Sequence, residues 1–168
     1  IGEESGSHLT GSEYCWVIDP IDGTTSYFHR QPYFSVSIAF KEKGELLCGG
    51  VYAPALDQMF LAARGEGALL NGKPIHVSES SRMADSVLAT GFACLRAGLE
   101  NNNLDYFNRI MPEIRDVRRC GSAALDLAYV AAGKYDGFWE MNLNDYDVAA
   151  GVLLVLEAGG QVSDFNGD

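Results

Sequence analysis

Residues 16–27 read Trp-Val-Ile-Asp-Pro-Ile-Asp-Gly-Thr-Thr-Ser-Tyr (WVIDPIDGTTSY). The run Tyr14-Cys15-Trp16-Val17-Ile18 is apolar and rich in strand formers, so it predicts a strand ending at Asp19-Pro20, where proline cannot donate to a ladder. A tight turn there can bring the carboxylates of Asp19 and Asp22, and the Ile21 carbonyl, toward one point. Hard divalent cations take that set of oxygens. Gly23 permits an unusual backbone angle or the close approach of a ligand. Thr24, Thr25 and Ser26 can open a helix whose free amides face an anion. Carboxylates for cations beside amides for an anion are what phosphoryl chemistry requires. The plainer reading is that Asp-Pro and Asp-Gly are everyday turn formers and that aspartate often caps a helix. Partners elsewhere in the chain must decide between them.

Working outward, residues 5–13 are loop-like in composition. Residues 33–40 alternate, with Phe34, Val36, Ile38 and Phe40 against Tyr33, Ser35, Ser37 and Ala39, the pattern of a half-buried strand. Leu46 to Tyr52 and Gln58 to Ala63 read as further strands of an antiparallel meander, and Asn71-Gly72 as a hairpin turn. The tyrosines and phenylalanines read mostly as meander core. The second half alternates strand and helix. Strands are expected at 86–90, 114–117, 135–141 and 161–165; helices at 103–111, 122–132 and 148–158, the last two stopped by Gly133 and Gly159-Gly160. A meander followed by alternating elements predicts an α+β or layered α/β fold.

Three further places offer partners for the turn. Glu3 and Glu4 are adjacent acids upstream; in extended backbone they point to opposite sides, so only one would face the site, and spacing leaves open which. Asp147 stands in the first turn of the apolar helix 148–158, as a stabilising first-turn acid or as a carboxylate near the core that needs a partner. Gly121-Ser122-Ala123 opens the other strong helix: Ser122 is its natural N-cap, and the small residues would let a polar ligand approach. Glu140 is an acid within the aromatic run Phe138-Trp139, either an outward strand residue or an acceptor for substrate hydroxyls. His29 reads as a capping or packing residue.

The chain of 168 residues carries a formal charge of −11, which argues against a nucleic-acid-binding face. Cys15, Cys48, Cys94 and Cys120 are dispersed without a C-x-x-C pair, so neither a zinc site nor a disulfide framework is expected, and a reducing compartment is the default. No stretch of about 18 apolar residues would span a membrane. The ends read as cuts through longer elements, as in a piece of a larger protein.

Trp16-Val17-Ile18-Asp19-Pro20-Ile21-Asp22-Gly23-Thr24-Thr25, with Gly2-Glu3-Glu4-Ser5 upstream and Asp147-Val148-Ala149-Ala150-Gly151 running on to Glu157-Ala158-Gly159-Gly160, resembles the signatures of the inositol monophosphatase family. Arg118 to Gly133 and Phe138-Trp139-Glu140 are similar to its bacterial inositol-1-monophosphatase branch. The resemblance runs along the whole chain. It departs at Tyr146, where the family usually has tryptophan, and at Ser26, where it usually has asparagine.

The resemblance implies an αβαβα sandwich of the magnesium-dependent, lithium-sensitive phosphatase superfamily. It implies one domain over residues 1–168, lacking the family's N-terminal helices and C-terminal strand–helix segment. It selects Glu3 over Glu4. By position, Glu3, Asp19, the Ile21 carbonyl, Asp22 and Asp147 would bind two or three Mg²⁺ ions. Gly23 and Thr24 would hold the phosphate, with Ile21, Asp22 and Asp147 at its margin. Gly121, Ser122, Ala123 and Glu140 would contact the polyol. Glu3, Thr24 and Asp22 would serve the hydrolytic step by setting up the attacking water. The expected reaction is hydrolysis of a small phosphate monoester, myo-inositol monophosphate first, by a cytoplasmic homodimer. Three alternatives stand beside it: a sibling phosphatase for fructose 1,6-bisphosphate, histidinol phosphate or a 3′-phosphonucleotide, with residues 91–106 and the surroundings of Glu140 making the difference; a regulatory protein with a partner in transcription; and a passive cation-binding domain.

Overall fold

The structure, a computed structural model, describes residues 1–2 and 12–167. Six strands form an antiparallel meander in sequential order: β1 (Tyr14–Asp22), β2 (Ser35–Glu42), β3 (Glu45–Ala53), β4 (Gln58–Ala63), β5 (Gly67–Leu70) and β6 (Lys73–Ile75). The short helix α1 (Thr24–Phe28) lies between β1 and β2. A second, parallel sheet has the order β8-β7-β9, from β7 (Val87–Thr90), β8 (Asp116–Arg118) and β9 (Gly137–Trp139). Helices α2 (Ala93–Arg96) and α3 (Leu104–Ile110) connect β7 to β8, α4 (Ala123–Ala131) connects β8 to β9, and α5 (Asp145–Glu157) follows.

Helices α4 and α5 pack on each other between the two sheets. α5 lies along β1 to β5, while α4 touches β2 and β3 on one side and β7 and β9 on the other. The two crossovers of the parallel sheet run in opposite directions from β8-β7 to β9, so the right-handed rule puts α3 and α4 on opposite faces. The layered α/β class expected from the sequence is thus present, with the helix pair between two sheets.

The alternation in residues 33–40 is present, but the buried set is the small one. Ser35, Ser37 and Ala39 are buried on the helix-facing side, Ser35 against Ser122 at the start of α4, whereas Ile38 is 37% exposed on the other face. The reason is close approach: a Cβ built on Gly49 would stand 3.3 Å from the Ala150 Cα. Helix α5 rests almost directly on the sheet backbone, so bulky residues must point away. The aromatic residues correct the expectation accordingly. Phe60 is fully buried, while Tyr14, Trp16, Tyr27 and Phe28 are exposed.

Residues 161–165 form no strand; they have no sheet neighbour among the described residues, and an isolated strand leaves its backbone groups unpaired. Helix α5 begins three residues before the apolar periodicity, because Asn144 caps it and Asp145 and Asp147 occupy its first turn. No helix among the described residues is long and apolar enough to cross a membrane.

Candidate metal and phosphate site

In a regular strand, residues three apart point to opposite faces. Asp19 and Asp22 do not, because β1 carries a bulge between them: Asp19 pairs with Ser37 and Asp22 with Ser35, three residues against two. The extra residue, in the Pro20-Ile21 stretch, restores Asp22 to the inner face already occupied by Val17 and Asp19. Both carboxylates are buried. The Ile21 amide donates to Asp19 Oδ1 at 3.0 Å, closing the turn.

Asp147 arrives from the first turn of α5. Asp19, Asp22 and Asp147 each offer an oxygen within 4.8 Å of the others. The first-turn role and the ligand role of Asp147 coexist: Oδ2 accepts from the Asn144 amide at 2.6 Å, which leaves Oδ1 for the cluster. Asp22 divides its oxygens likewise. Its Oδ2 accepts from the Ser122 hydroxyl at 2.7 Å and the Ala124 amide at 2.8 Å.

Three carboxylates at this spacing need a compensating charge. Among the described residues no ion pair reaches Asp22 or Asp147. Burial, and then the charges of Asp147 and Glu140, push Asp22 up to about 7, against the pull of the Ser122 and Ala124 hydrogen bonds. Burial also raises Asp147. The donor set fits a hard cation: oxygens sharing one magnesium lie at most about 4.2 Å apart, twice the metal–oxygen distance, so the cluster closes by sub-ångström movement.

Gly23 follows with φ 85°, and a Cβ there would lie 2.9 Å from the Tyr33 carbonyl oxygen and 3.1 Å from that of Gly121. Only glycine both takes this angle and fits the gap. The first helical bond of α1 runs from the Tyr27 amide to the Gly23 carbonyl at 3.0 Å, which places the amides of Thr24, Thr25 and Ser26 ahead of the helix's own ladder. Ser26 donates to the Cys120 carbonyl at 2.9 Å, tying α1 to the loop before α4. His29 is the C-cap of α1.

The wall of the cleft comes from α4, α2 and the loop before α5. Asp22, Asp147, Gly121, Ala123 and Glu140 line a cleft of about 210 Å³. Ser122 stands behind them: it is fully buried, caps α4 by accepting from the Leu125 amide, and holds Asp22. Glu140 accepts from the Ala93 amide at 2.9 Å. Burial raises it, while that amide, Arg119 and Arg96 oppose the rise. A Cβ on Gly91 would fall 2.0 Å from Glu140 Oε2, so Gly91 makes room for the carboxylate.

Glu3 and Glu4 lie outside the described residues. Gly2 forms a parallel bridge with Ile18, and the Ile18 amide donates to the Ile1 carbonyl at 2.9 Å, so the chain before Glu3 runs beside β1 just ahead of Asp19. The sequence reading did not single out Arg96, Arg119 or Asn142, which line the cleft. Nor did it single out Asp126, a fully buried carboxyl whose Oδ1 has no hydrogen-bond partner. Arg96 falls within the stretch 91–106 expected to set specificity, and Arg119 stands two residues before Gly121; neither position carries a periodicity signal.

The profile of the inositol monophosphatase family matches residues 1–168. The chain is 46% identical over 156 residues to an inositol-1-monophosphatase of Mesorhizobium japonicum, covering 93% of this chain and 59% of that one. It is 48% identical over 172 residues to the Nus factor SuhB of Pseudomonas aeruginosa, covering 99% and 64%. The crystal structure of the extragenic suppressor protein SuhB from Bartonella henselae superposes with a TM-score of 0.93 at 44% identity, covering 99% of this chain and 64% of that one. The chain thus spans about three-fifths of the length of these relatives. Family profile, relatives and fold agree with the convergence of Asp19, Asp22 and Asp147: the chain belongs to the inositol monophosphatase family.

Proposed function

We propose that this chain hydrolyses a small phosphate monoester with magnesium, myo-inositol monophosphate being the first substrate. The observation that carries the reading is the meeting of Asp19, Asp22 and Asp147 oxygens within 4.8 Å, beside a helix start led by Gly23. Asp19, Asp22, Asp147 and the Ile21 carbonyl would hold two or three ions, with Glu3 as a further ligand. When bound, the cations supply charge neutralisation of the phosphate and a water acidic enough to attack at neutral pH. The chain's own residues do the rest. The Gly23 and Thr24 amides orient the phosphate; the Thr24 hydroxyl and Glu3 position the attacking water; Ser122 and the Ala124 amide fix the orientation of Asp22; Glu140, Gly121 and Ala123 face the polyol. A homodimer in the cytoplasm and inhibition by lithium are parts of the same reading.

The test is phosphate release from myo-inositol 1-phosphate under saturating magnesium, with Asp22→Asn alongside. Turnover by the unaltered chain and a loss on the order of a hundredfold or more in the variant are expected. Comparable turnover by Asp22→Asn would refute the assignment.

A second reading rests on the relatives named Nus factor SuhB in Pseudomonas aeruginosa and Escherichia coli: a role with a protein partner in transcription. Absence of turnover on any phosphomonoester, with magnesium bound, would favour it.

A further inference from the structure

Among the described residues, five groups set the charge of the cleft: the carboxylates of Asp22, Asp147 and Glu140, and the guanidiniums of Arg96 and Arg119. The acids divide by place. Asp22 and Asp147 belong to the oxygen cluster with Asp19. Glu140 stands apart on the β9 side, held by the Ala93 amide. Both arginines line the cleft with it. Both of their charges act on Glu140 and neither is among those acting on Asp22, while Arg96 also acts on Asp147. Yet neither guanidinium makes an ion pair among the described residues, unlike its neighbour Arg118, which pairs with Asp116 at 2.6 Å. They are not spent on Glu140.

Arg119 is also given room. Its Nη1 lies 2.5 Å from the point a Cβ on Gly121 would occupy, so the guanidinium passes over the bare glycine on the cleft wall. Arg96, the last residue of α2, lines the same cleft. A guanidinium is a planar fork of donors whose bonds to carboxylate or phosphate oxygens are roughly twice as strong as those to a neutral hydroxyl. Two such forks without an ion pair among the described residues suit an anionic group better than an uncharged polyol.

We propose that Arg96 and Arg119 form a subsite for a second anionic group, so that, beside the neutral polyol phosphate, the cleft takes phosphate monoesters whose alcohol part carries a carboxylate or a phosphate and turns them over faster than their neutral counterparts. The inference rests on the phosphatase reading above for the position of the scissile phosphate at the Asp19–Asp22–Asp147 cluster. It selects among substrates by a charge that a neutral polyol phosphate lacks.

Matched pairs test it. Glycerol 2-phosphate against 2-phosphoglycerate adds a carboxylate; fructose 1-phosphate against fructose 1,6-bisphosphate adds a phosphate. With the 168-residue chain and saturating magnesium, kcat/KM is expected to be at least about tenfold higher for the doubly anionic member of one or both pairs, the worth of a charge-assisted hydrogen bond. The pair that shows it identifies the anion. Arg96→Gln and Arg119→Gln should each cut that ratio severalfold, and the double variant should bring it near unity. Arg118→Gln, outside the cleft, should leave it unchanged. A ratio near unity in the unaltered chain, or arginine variants that depress both members of a pair equally, would overturn the subsite. If the chain turns over none of the four compounds, the phosphatase reading has failed. Calorimetric titration of the same pairs in the presence of calcium then decides the subsite by itself: tighter binding of the doubly anionic member that is lost in the double variant supports it, and equal binding overturns it.

Discussion

Gly151 sits where α5 crosses α4, and its replacement by alanine sets two effects of known size against each other. A Cβ at this position would stand 2.6 Å from both Cβ and Cδ1 of Leu127, where ordinary contact begins at 3.4 Å. The Leu127 Cβ is fixed to the α4 backbone and cannot rotate away, so the two helices must part locally by roughly 0.8 Å. Overpacking of this kind costs about 1–3 kcal/mol. Alanine in a helix interior returns about 0.8–1 kcal/mol relative to glycine. The net expectation is a destabilisation of about 1 kcal/mol, larger for Gly151→Val, read as a lower urea midpoint at unchanged slope. There is a functional consequence as well. Asp147 lies one turn before Gly151 on the same face of α5, and Ala123 one turn before Leu127 on α4. The start of α4 holds Asp22 through Ser122 and Ala124, so parting the helices should draw Asp22 and Asp147 apart, and magnesium, which demands near-ideal octahedral distances, should bind more weakly. Equilibrium unfolding and calorimetric magnesium titration on the same samples check both halves. An alanine variant as stable as the parent would refute the packing argument; a destabilised variant with unaltered magnesium affinity would refute the coupling.

Asp22 and Asp126 are raised to about 7 and about 8, by burial first. A raised carboxyl means that the folded chain keeps a proton the unfolded chain has released. This contribution to stability is therefore complete below pH ~4 and is lost progressively as pH rises from there through 7 to 8. The metal-free chain should weaken over that window and magnesium should offset the loss; titrations near pH 6 in buffers of different ionisation enthalpy should show proton release on metal binding that vanishes near pH 9. Gly23→Ala forces a left-handed angle on alanine and drives its Cβ against the Tyr33 carbonyl; we expect a loss of about 2 kcal/mol or more by thermal unfolding, and an unchanged melting temperature would contradict the close approach. Glu157 accepts from the amides of Gly65 and Gly67, both at 2.9 Å, tying the end of α5 to the β4–β5 turn. Glu157→Ala should cost about 1 kcal/mol and speed amide exchange at those two glycines, and unaltered exchange would show the tie to be idle.

Much of the element order was legible because it follows from local pattern. The alternation of residues 33–40, the Asn71-Gly72 turn, the alanine- and leucine-rich run before Gly133 and the apolar run after Asp147 each announce an element without reference to the rest of the chain. Where the reading went astray, a distant neighbour decided. The strand expected at 161–165 has no ladder partner among the described residues, and the small face of β2 rather than the aromatic one is buried because α5 lies so close to Gly49.

The sequence by itself determined which oxygens were available: two aspartates closing an apolar strand, a third opening an apolar helix, and a glycine between the acids and the hydroxyl cluster. Tertiary structure decided that they meet. The bulge that turns Asp22 onto the face of Asp19 is a matter of register against β2. The arrival of Asp147 depends on α5 lying across the meander. The hold on Asp22, whose Oδ2 accepts from Ser122 and Ala124, links residues about a hundred positions apart. Periodicity and turn chemistry act over a few residues and so can be read along the chain; convergence of charges is set by how separate elements pack, and burial then makes their pairing with a cation worth far more than it would be in water.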